Sequence, residues 1–262
     1  MLNKKLKSKK HNIIITNDDG IDSPGLHAMA KALASLGNIY IIAPNEEKSA
    51  IGHSVTIHHP LRAKILKENV VSLFGTPADC IIFGVLYLLK KQKIDLIASG
   101  INLGPNLGDD VTYSGTIGAA MEGTLLKIPS IAVSLTGKKH NDFSAAISFT
   151  NKIAKYVIKN GLPEMTLLNI NVPNEKVDNI KGYLLTKQGK GIYRDNIVEK
   201  VDPRGRKYFW IDGDEPRWEL TDSGDTDFYA VANNYISVTP LSLNLTNYSV
   251  LETMREKINI RF

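Results

Sequence analysis

An α/β fold with a mostly parallel sheet flanked by helices is predicted by three features of the sequence. Short β-branched runs alternate with longer helical patterns from residue 12 to about residue 172, the arrangement of successive βαβ units. Several of these runs are apolar through most of their length, as strands covered on both faces are. Helix-start signals, a serine or threonine followed by proline, stand between them.

The first strand is expected over residues 12–16 and the second over 38–43. Between them, Ser23-Pro24 offers an N-cap with proline at the first helical position, and Leu26, Met29, Ala30 and Leu33 recur at helical spacing. Thr76-Pro77 repeats the signal ahead of Ile81, Ile82, Val85, Leu86 and Leu89, which read as one face of a buried helix. Further strands are expected over 95–99, 130–134 and 166–172. A third helix starts near Ser114 and ends at Ile128 before Pro129, and a fourth covers about 142–160, stopped by Gly161.

Beyond residue 172 the pattern changes to short strands and charged turns. Asp202-Pro203-Arg204-Gly205 sits between two alternating runs, 196–201 and 206–212, which predicts a hairpin carrying Tyr208, Phe209 and Trp210, with Trp218 nearby. A hairpin of this size is marginal alone, so it is expected to pack on the core or on a second subunit. A strand over 235–239 and a short helix from about Asn247 close the chain. The chain thus divides into a disordered basic tail (1–11), an α/β catalytic core (12–172) and a C-terminal part (173–262) that completes the core, with no clean linker between the last two.

Composition narrows the function classes. A chain of 262 residues buries a substantial core without disulfides, and its single cysteine, Cys80, fits a reducing compartment, here read as the cytoplasm. One thiol also excludes a cysteine-built zinc or iron–sulfur site. The net charge of +5 owes much to Lys4, Lys5, Lys7, Lys9 and Lys10. That tail reads as a solvated terminus, not a nucleic-acid arm, and no apolar stretch follows it that would make a signal peptide. The most apolar run, 81–89, is about half of what a membrane span needs, so neither nucleic acid nor membrane is an expected partner.

The chemistry gathers at expected strand ends. The first strand empties into Asn17-Asp18-Asp19-Gly20; alone this reads equally well as an Asx-type turn. In open α/β sheets, however, ligands bind outside the carboxyl ends of the strands, and other strand ends contribute compatible groups. After the second strand come Ser49, Gly52 and His53, and after 95–99 a glycine-rich loop carries Asn102 and Asn106 between Gly100, Gly104 and Gly108. Ser114-Gly115-Thr116 then opens a helix whose free amides and positive dipole end suit phosphate. It is not a Walker loop, because no lysine precedes the serine or threonine. Carboxylates, a hydroxyl and an amide are hard oxygen donors, which points to Mg²⁺ or Mn²⁺. Among the histidines only His53 lies on this rim; His27 falls within a predicted helix, and His58-His59 precedes Pro60 as an expected strand end.

These segments together resemble the SurE-type survival proteins, which are 5′- and 3′-nucleotidases. The matching stretches are Thr16 to Ile21, Ala43-Pro44 with Ser49 to Ser54, Gly75 to Cys80, Ser99 to Asn106, and Ser114-Gly115-Thr116 with Ala119 to Gly123. They come in the family's order across nearly the whole chain. The resemblance implies a Rossmann-like fold, one divalent cation per subunit held by Asp18, Asp19, Ser49 and Asn102, and homodimers or homotetramers that exchange the hairpin and C-terminal segment. It implies nucleoside monophosphates as substrates, with polyphosphate ends cleaved by some relatives. Asp18 and Asp19 are then the catalytic pair, Asp19 the better candidate for general base, and Asn17, Gly52, His53, Asn106, Ser114, Gly115 and Thr116 the phosphate and substrate contacts. Two rivals stay open: an aspartyl nucleophile at Asp18, against which Gly20 stands where a second acid is needed, and a nucleotide sensor without turnover.

Overall fold

The computed structural model describes residues 10–137, 142–192, 195–213, 217–218, 224–258 and 260. Residues 1–9 of the expected basic tail, and His140, lie outside them. In chain order the elements are β1 (His11–Thr16), α1 (Pro24–Leu33), β2 (Gly37–Pro44), β3 (Arg62–Lys67), β4 (Val70–Phe74) and α2 (Pro77–Phe83), which runs on as a π-helical turn over Gly84–Leu88. There follow β5 (Leu96–Leu103), α3 (Gly115–Leu125), β6 (Ser130–Thr136), α4 (Ser144–Asn160) and β7 (Thr166–Pro173). The remainder holds β8 (Tyr183–Leu185), β9 (Gly191–Ile192), β10 (Asp195–Val201), β11 (Lys207–Gly213), β12 (Arg217–Trp218), α5 (Asp227–Ala232), β13 (Ile236–Ser242) and α6 (Tyr248–Lys257).

Nine strands form one sheet in the order β3-β4-β2-β1-β5-β6-β7-β13-β8. The six from β4 to β7 are mutually parallel; β3 joins antiparallel at one edge, and β13 joins β7 antiparallel at the other. The chain proceeds outward from β1 through β2 and β4, then returns to β5 and proceeds the opposite way. Strand order therefore reverses between β1 and β5, and the crevice at their carboxyl ends is the place an open α/β sheet offers a ligand. Thr16 is level with Ser99 across that junction.

Successive isoleucines of β1 feed opposite faces, as the two-residue strand period requires. Ile13 and Ile15 pack with Leu26, Met29 and Leu33 of α1 and Val157 of α4, while Ile14 packs with Ile42, Ile81 and Ala119 beneath α2 and α3. The caps differ in quality. Thr76 and Asp79 form a full capping box on α2, whereas the Ser23 side chain at the N-cap of α1 makes no capping hydrogen bond.

Several expectations need correction. β3 and β4 were not anticipated: Arg-Ala-Lys-Ile-Leu-Lys is exposed throughout, so it shows no apolar face, and its lysines suit a sheet edge. His58 and His59 lie in a bend before β3, not at a strand end. β5 does not stop at Ser99 but continues through Leu103, with a register shift against β6 between Gly100 and Asn102. Leu86 and Tyr87 are exposed, because α2 gives way to the π-helical turn. His27 lies in α1 as expected but faces solvent. Helix α5 was also unforeseen.

The predicted hairpin is present, with Val198 opposite Trp210 and Glu199 opposite Phe209. It leaves Ile197, Phe209, Trp210 and Ile211 exposed, and α6 buries none of its residues. Among the described residues no helix is long and apolar enough to cross a membrane.

Candidate active site

The turn after β1 is built by Asn17 and Gly20. Asn17 is fully buried and its Nδ2 donates to the Gly20 carbonyl at 3.0 Å, while Gly20 takes φ +97, in the left-handed region that glycine accepts without penalty. The turn is fastened to the segment after β2 by two backbone bonds, Ile21 N to Pro44 O at 2.8 Å and Lys48 N to Asp18 O at 2.7 Å. Asn17 thus shapes the turn that presents the carboxylates of Asp18 and Asp19, through its amide donor and not through the side-chain oxygen of an Asx turn.

Asp18 is buried and points at the start of α3. Its Oδ2 accepts the Thr116 amide at 3.0 Å, and its Oδ1 accepts the Thr116 hydroxyl in a short bond. A Cβ on Gly115 would lie 2.8 Å from the Asp18 Cβ, so only glycine lets the carboxylate approach this closely. Burial pushes the Asp18 carboxyl above its ordinary range, and the Thr116 and Gly115 donors pull the other way. Ser114 caps α3, its Oγ accepting from Ile117 N at 3.2 Å. The amide of Thr116 at this helix start is therefore directed at a carboxylate of the chain itself.

Asp19 is pushed up to about 6, first by burial and then by the neighbouring charges of Asp18 and Glu47, with the Leu103 amide acting in the opposite sense. Its Oδ2 is closed off from solvent, and the Ser23 hydroxyl and the Leu103 amide are the donors beside the carboxylate. Two neighbouring carboxylates largely shut away from water at the β1 end are what a hard cation would satisfy. Ser49 is exposed beside them, its hydroxyl given to Glu47 Oε1 at 2.7 Å. Asn102 lies on the last part of β5; its Nδ2 donates to Gly104 O at 3.0 Å, which leaves the amide oxygen as the donor for a cation. Among the described residues no three of His, Cys, Asp and Glu are grouped so as to hold a metal ion. A cation at this junction would rest on the two aspartates plus neutral oxygens, and the residues fit one.

The remaining predicted residues surround this pair. Gly52 N donates to Tyr113 O at 2.8 Å, and a Cβ on Gly118 would meet Gly52 O at 2.5 Å, so the loop after β2 lies directly on α3. That contact sets His53, whose Nε2 lies 2.8 Å from Glu122 Oε2 further along the same helix. Asn106 sits lower, in a buried polar network: its N donates to Asn171 Oδ1 at 2.8 Å, its Nδ2 to Ser134 Oγ at 2.8 Å, and its carbonyl accepts from Asn169 and Asn171. It anchors the loop from beneath, apart from Asp18. Sequence reasoning missed Glu122, Ser134, Asn169 and Asn171. The asparagines had a signal, being two amides on one face of an otherwise apolar strand; Glu122 lay within a matching stretch, but its partner His53 is far away in sequence.

The chain is similar along most of its length to known proteins. The family model described as "Survival protein SurE" matches residues 13–195. A 5′-nucleotidase SurE of Geotalea daltonii is 49% identical over 245 residues, covering 93% of this chain and 98% of its own. One from Geobacter sulfurreducens is 47% identical over 245 residues, covering 93% and 92%. The crystal structure of the SurE protein from Aquifex aeolicus superposes with a TM-score of 0.83 at 42% identity, over 94% of this chain and 98% of that one. The chain belongs to the SurE survival-protein family.

Proposed function

We propose that the chain hydrolyses the phosphomonoester of nucleoside 5′-monophosphates, and of 3′-monophosphates, to nucleoside and phosphate, with one Mg²⁺ or Mn²⁺ per subunit. It is an enzyme of the phosphoric monoester hydrolase class, as its relatives, named 5′-nucleotidases, are. The observation that carries the reading is the Asp18–Asp19 pair at the strand-order reversal, with Asp19 Oδ2 shut away from solvent.

Asp18, Asp19, Ser49 and Asn102 would hold the cation. When bound, it supplies Lewis acidity, polarising the phosphoryl group and making water more acidic. The chain's own groups do the rest. Thr116 and Gly115 fix the Asp18 carboxylate so that it keeps one orientation through the reaction. Asp19, ionised beside the cation, takes the proton of the attacking water. His53, steadied by Glu122, donates a proton to the ester oxygen as the bond to phosphorus breaks. Ser114 and Gly115, with the Gly52 loop beside them, would line the place for phosphate oxygens, while Thr116 is committed to Asp18 and Asn17 and Asn106 support the turns beneath.

The fixed orientation of Asp18 and the glycine at position 20 favour water attack over an aspartyl nucleophile. The exposed apolar hairpin and the unburied α6 support a homodimer or homotetramer. Ends of polyphosphate chains present a similar terminal phosphate and are proposed as secondary substrates.

The test is phosphate release from a panel of nucleoside monophosphates by chelator-treated protein, with Mn²⁺ or Mg²⁺ added back. Restored release is expected. A folded protein that binds nucleotide yet releases no phosphate with any cation would instead be a sensor.

A further inference from the structure

The proposed site sits on a loop, and something must hold that loop in place. The segment between β5 and α3 contains a 3₁₀ turn over Gly108–Thr112 and carries Tyr113 and Ser114 into the helix start. Its first half is anchored through Asn106. Its second half is gripped by the C-terminal part of the chain, at a residue that the proposed mechanism does not use.

Asp227, in the first turn of α5, is completely buried. Its Oδ2 accepts from Gly108 N at 2.8 Å; its Oδ1 accepts from Gly189 N at 2.7 Å and Phe228 N at 2.9 Å. Gln188 Nε2 donates to the Gly108 carbonyl at 2.9 Å, so both polar groups of that peptide residue are held from the same side. Gly108 has φ +50, and a Cβ there would lie 2.7 Å from Phe228 Cε2. A Cβ on Gly189 would lie 2.3 Å from Phe228 Cδ2. The two glycines thus let the loop and the 187–189 segment close over one ring. A buried carboxylate met by three backbone amides is costly to disturb, because removing it leaves donors unpaired in the interior.

We infer that Asp227 is a positioning residue for the site: it fixes Gly108 and, through the turn that follows, the Tyr113–Gly115 helix start on which Asp18 and the Gly52 loop are seated. The path is continuous on the structure. Gly108 begins the turn, Tyr113 N returns to Asp110 O at 3.0 Å to end it, Tyr113 O receives Gly52 N, and Gly115 abuts Asp18. The C-terminal segment thereby contributes to the reaction without touching substrate. The activity consequence rests on the nucleotidase reading; the structural consequence does not.

The test is Asp227→Asn, which keeps the size of the side chain but turns an NH₂ toward an N–H donor. Hydrogen exchange is followed over residues 106–114, together with kcat and KM for adenosine 5′-monophosphate with Mn²⁺. Exchange should accelerate at 106–114 while β1 and β6 stay protected, and kcat/KM should fall on the order of tenfold to a hundredfold, with KM rising, well below the melting temperature. A purely structural role would lower the melting temperature and leave KM unchanged. Unchanged exchange over 106–114 in folded Asp227→Asn overturns the inference. If that variant does not fold, Asp227→Glu, which keeps the charge but displaces it from Gly108 N, decides on the same readout: faster exchange over 106–114 supports the clamp, unchanged exchange refutes it. Wild-type protein that releases no phosphate would sink the nucleotidase reading, while the exchange measurement would still decide the role of Asp227.

Discussion

Thr116 holds both oxygens of the Asp18 carboxylate, its amide donating to Oδ2 at 3.0 Å and its hydroxyl to Oδ1. One residue at a helix start thereby removes the rotational freedom of a buried acid. Thr116→Val keeps the shape and deletes the hydroxyl donor. It should cost about 1.5–3 kcal/mol of stability, the range for hydrogen bonds to charged groups, and lower turnover at least tenfold. Thr116→Ser should recover most of both. Urea unfolding and phosphate release measure the two effects.

Gly118 lets the loop after β2 lie on α3. An alanine Cβ there would sit 2.5 Å from Gly52 O and 2.9 Å from His53 Cα, both backbone atoms that cannot swing aside. Gly118→Ala should displace the loop, costing about 1–3 kcal/mol as overpacking does, and should separate His53 from Glu122. Loss of the His53–Glu122 contact in a crystal structure of the variant, with reduced kcat, is the expected result.

His53 and Glu122 make a prediction that depends on the leaving group. If His53 protonates the ester oxygen, His53→Ala should lower kcat for a nucleoside monophosphate by about 10²–10⁴. It should barely affect p-nitrophenyl phosphate, whose leaving group needs no proton. Glu122→Gln should show the same selectivity with a smaller effect. Equal losses on both substrates would assign His53 to binding.

The buried aspartates give the cation a pH-dependent effect on stability. Asp19 holds its proton more tightly when folded, at about 6 against an ordinary 3.8. The cation-free protein therefore loses stability as pH rises from about 4 to about 6, because folding then forces an ionised carboxylate into a poorly solvated place. A bound cation favours the ionised form. At a fixed concentration a hundredfold above its neutral-pH Kd, Mn²⁺ should raise the melting temperature by about 5–10 °C near neutral pH, and by clearly less near pH 5, where protonation weakens binding. Thermal melts with and without Mn²⁺ at the two pH values check this.

The strand ends were legible in the sequence because local chemistry makes them. β-branched runs stop at Asn-Asp-Asp-Gly and at glycine-rich segments, and Ser114 announces a helix by its capping chemistry. What the sequence hid is what distant residues decide. Thr116 read as a phosphate donor, because a free helix start is an anion site in general; that the anion in contact with it is Asp18 depends on packing α3 against the β1 turn. β3 was invisible since an exposed lysine-rich edge strand has no buried face to produce alternation. Gly100 read as the start of a loop, yet β5 runs on to Leu103 because β6 continues beside it. Asp227 and Glu122 looked like ordinary acids, and only the fold brings Gly108 and His53 to them.

The most direct test of the central claim, that Asp18 and Asp19 carry a cation-assisted phosphomonoesterase, is a paired measurement on wild type and Asp19→Asn. Mn²⁺ binding by calorimetry and phosphate release from adenosine 5′-monophosphate are read on the same folded samples. The account predicts that Asp19→Asn keeps its circular dichroism and secondary structure, loses most of its Mn²⁺ affinity and nearly all turnover. An Asp19→Asn protein that binds Mn²⁺ and turns over like wild type would contradict it.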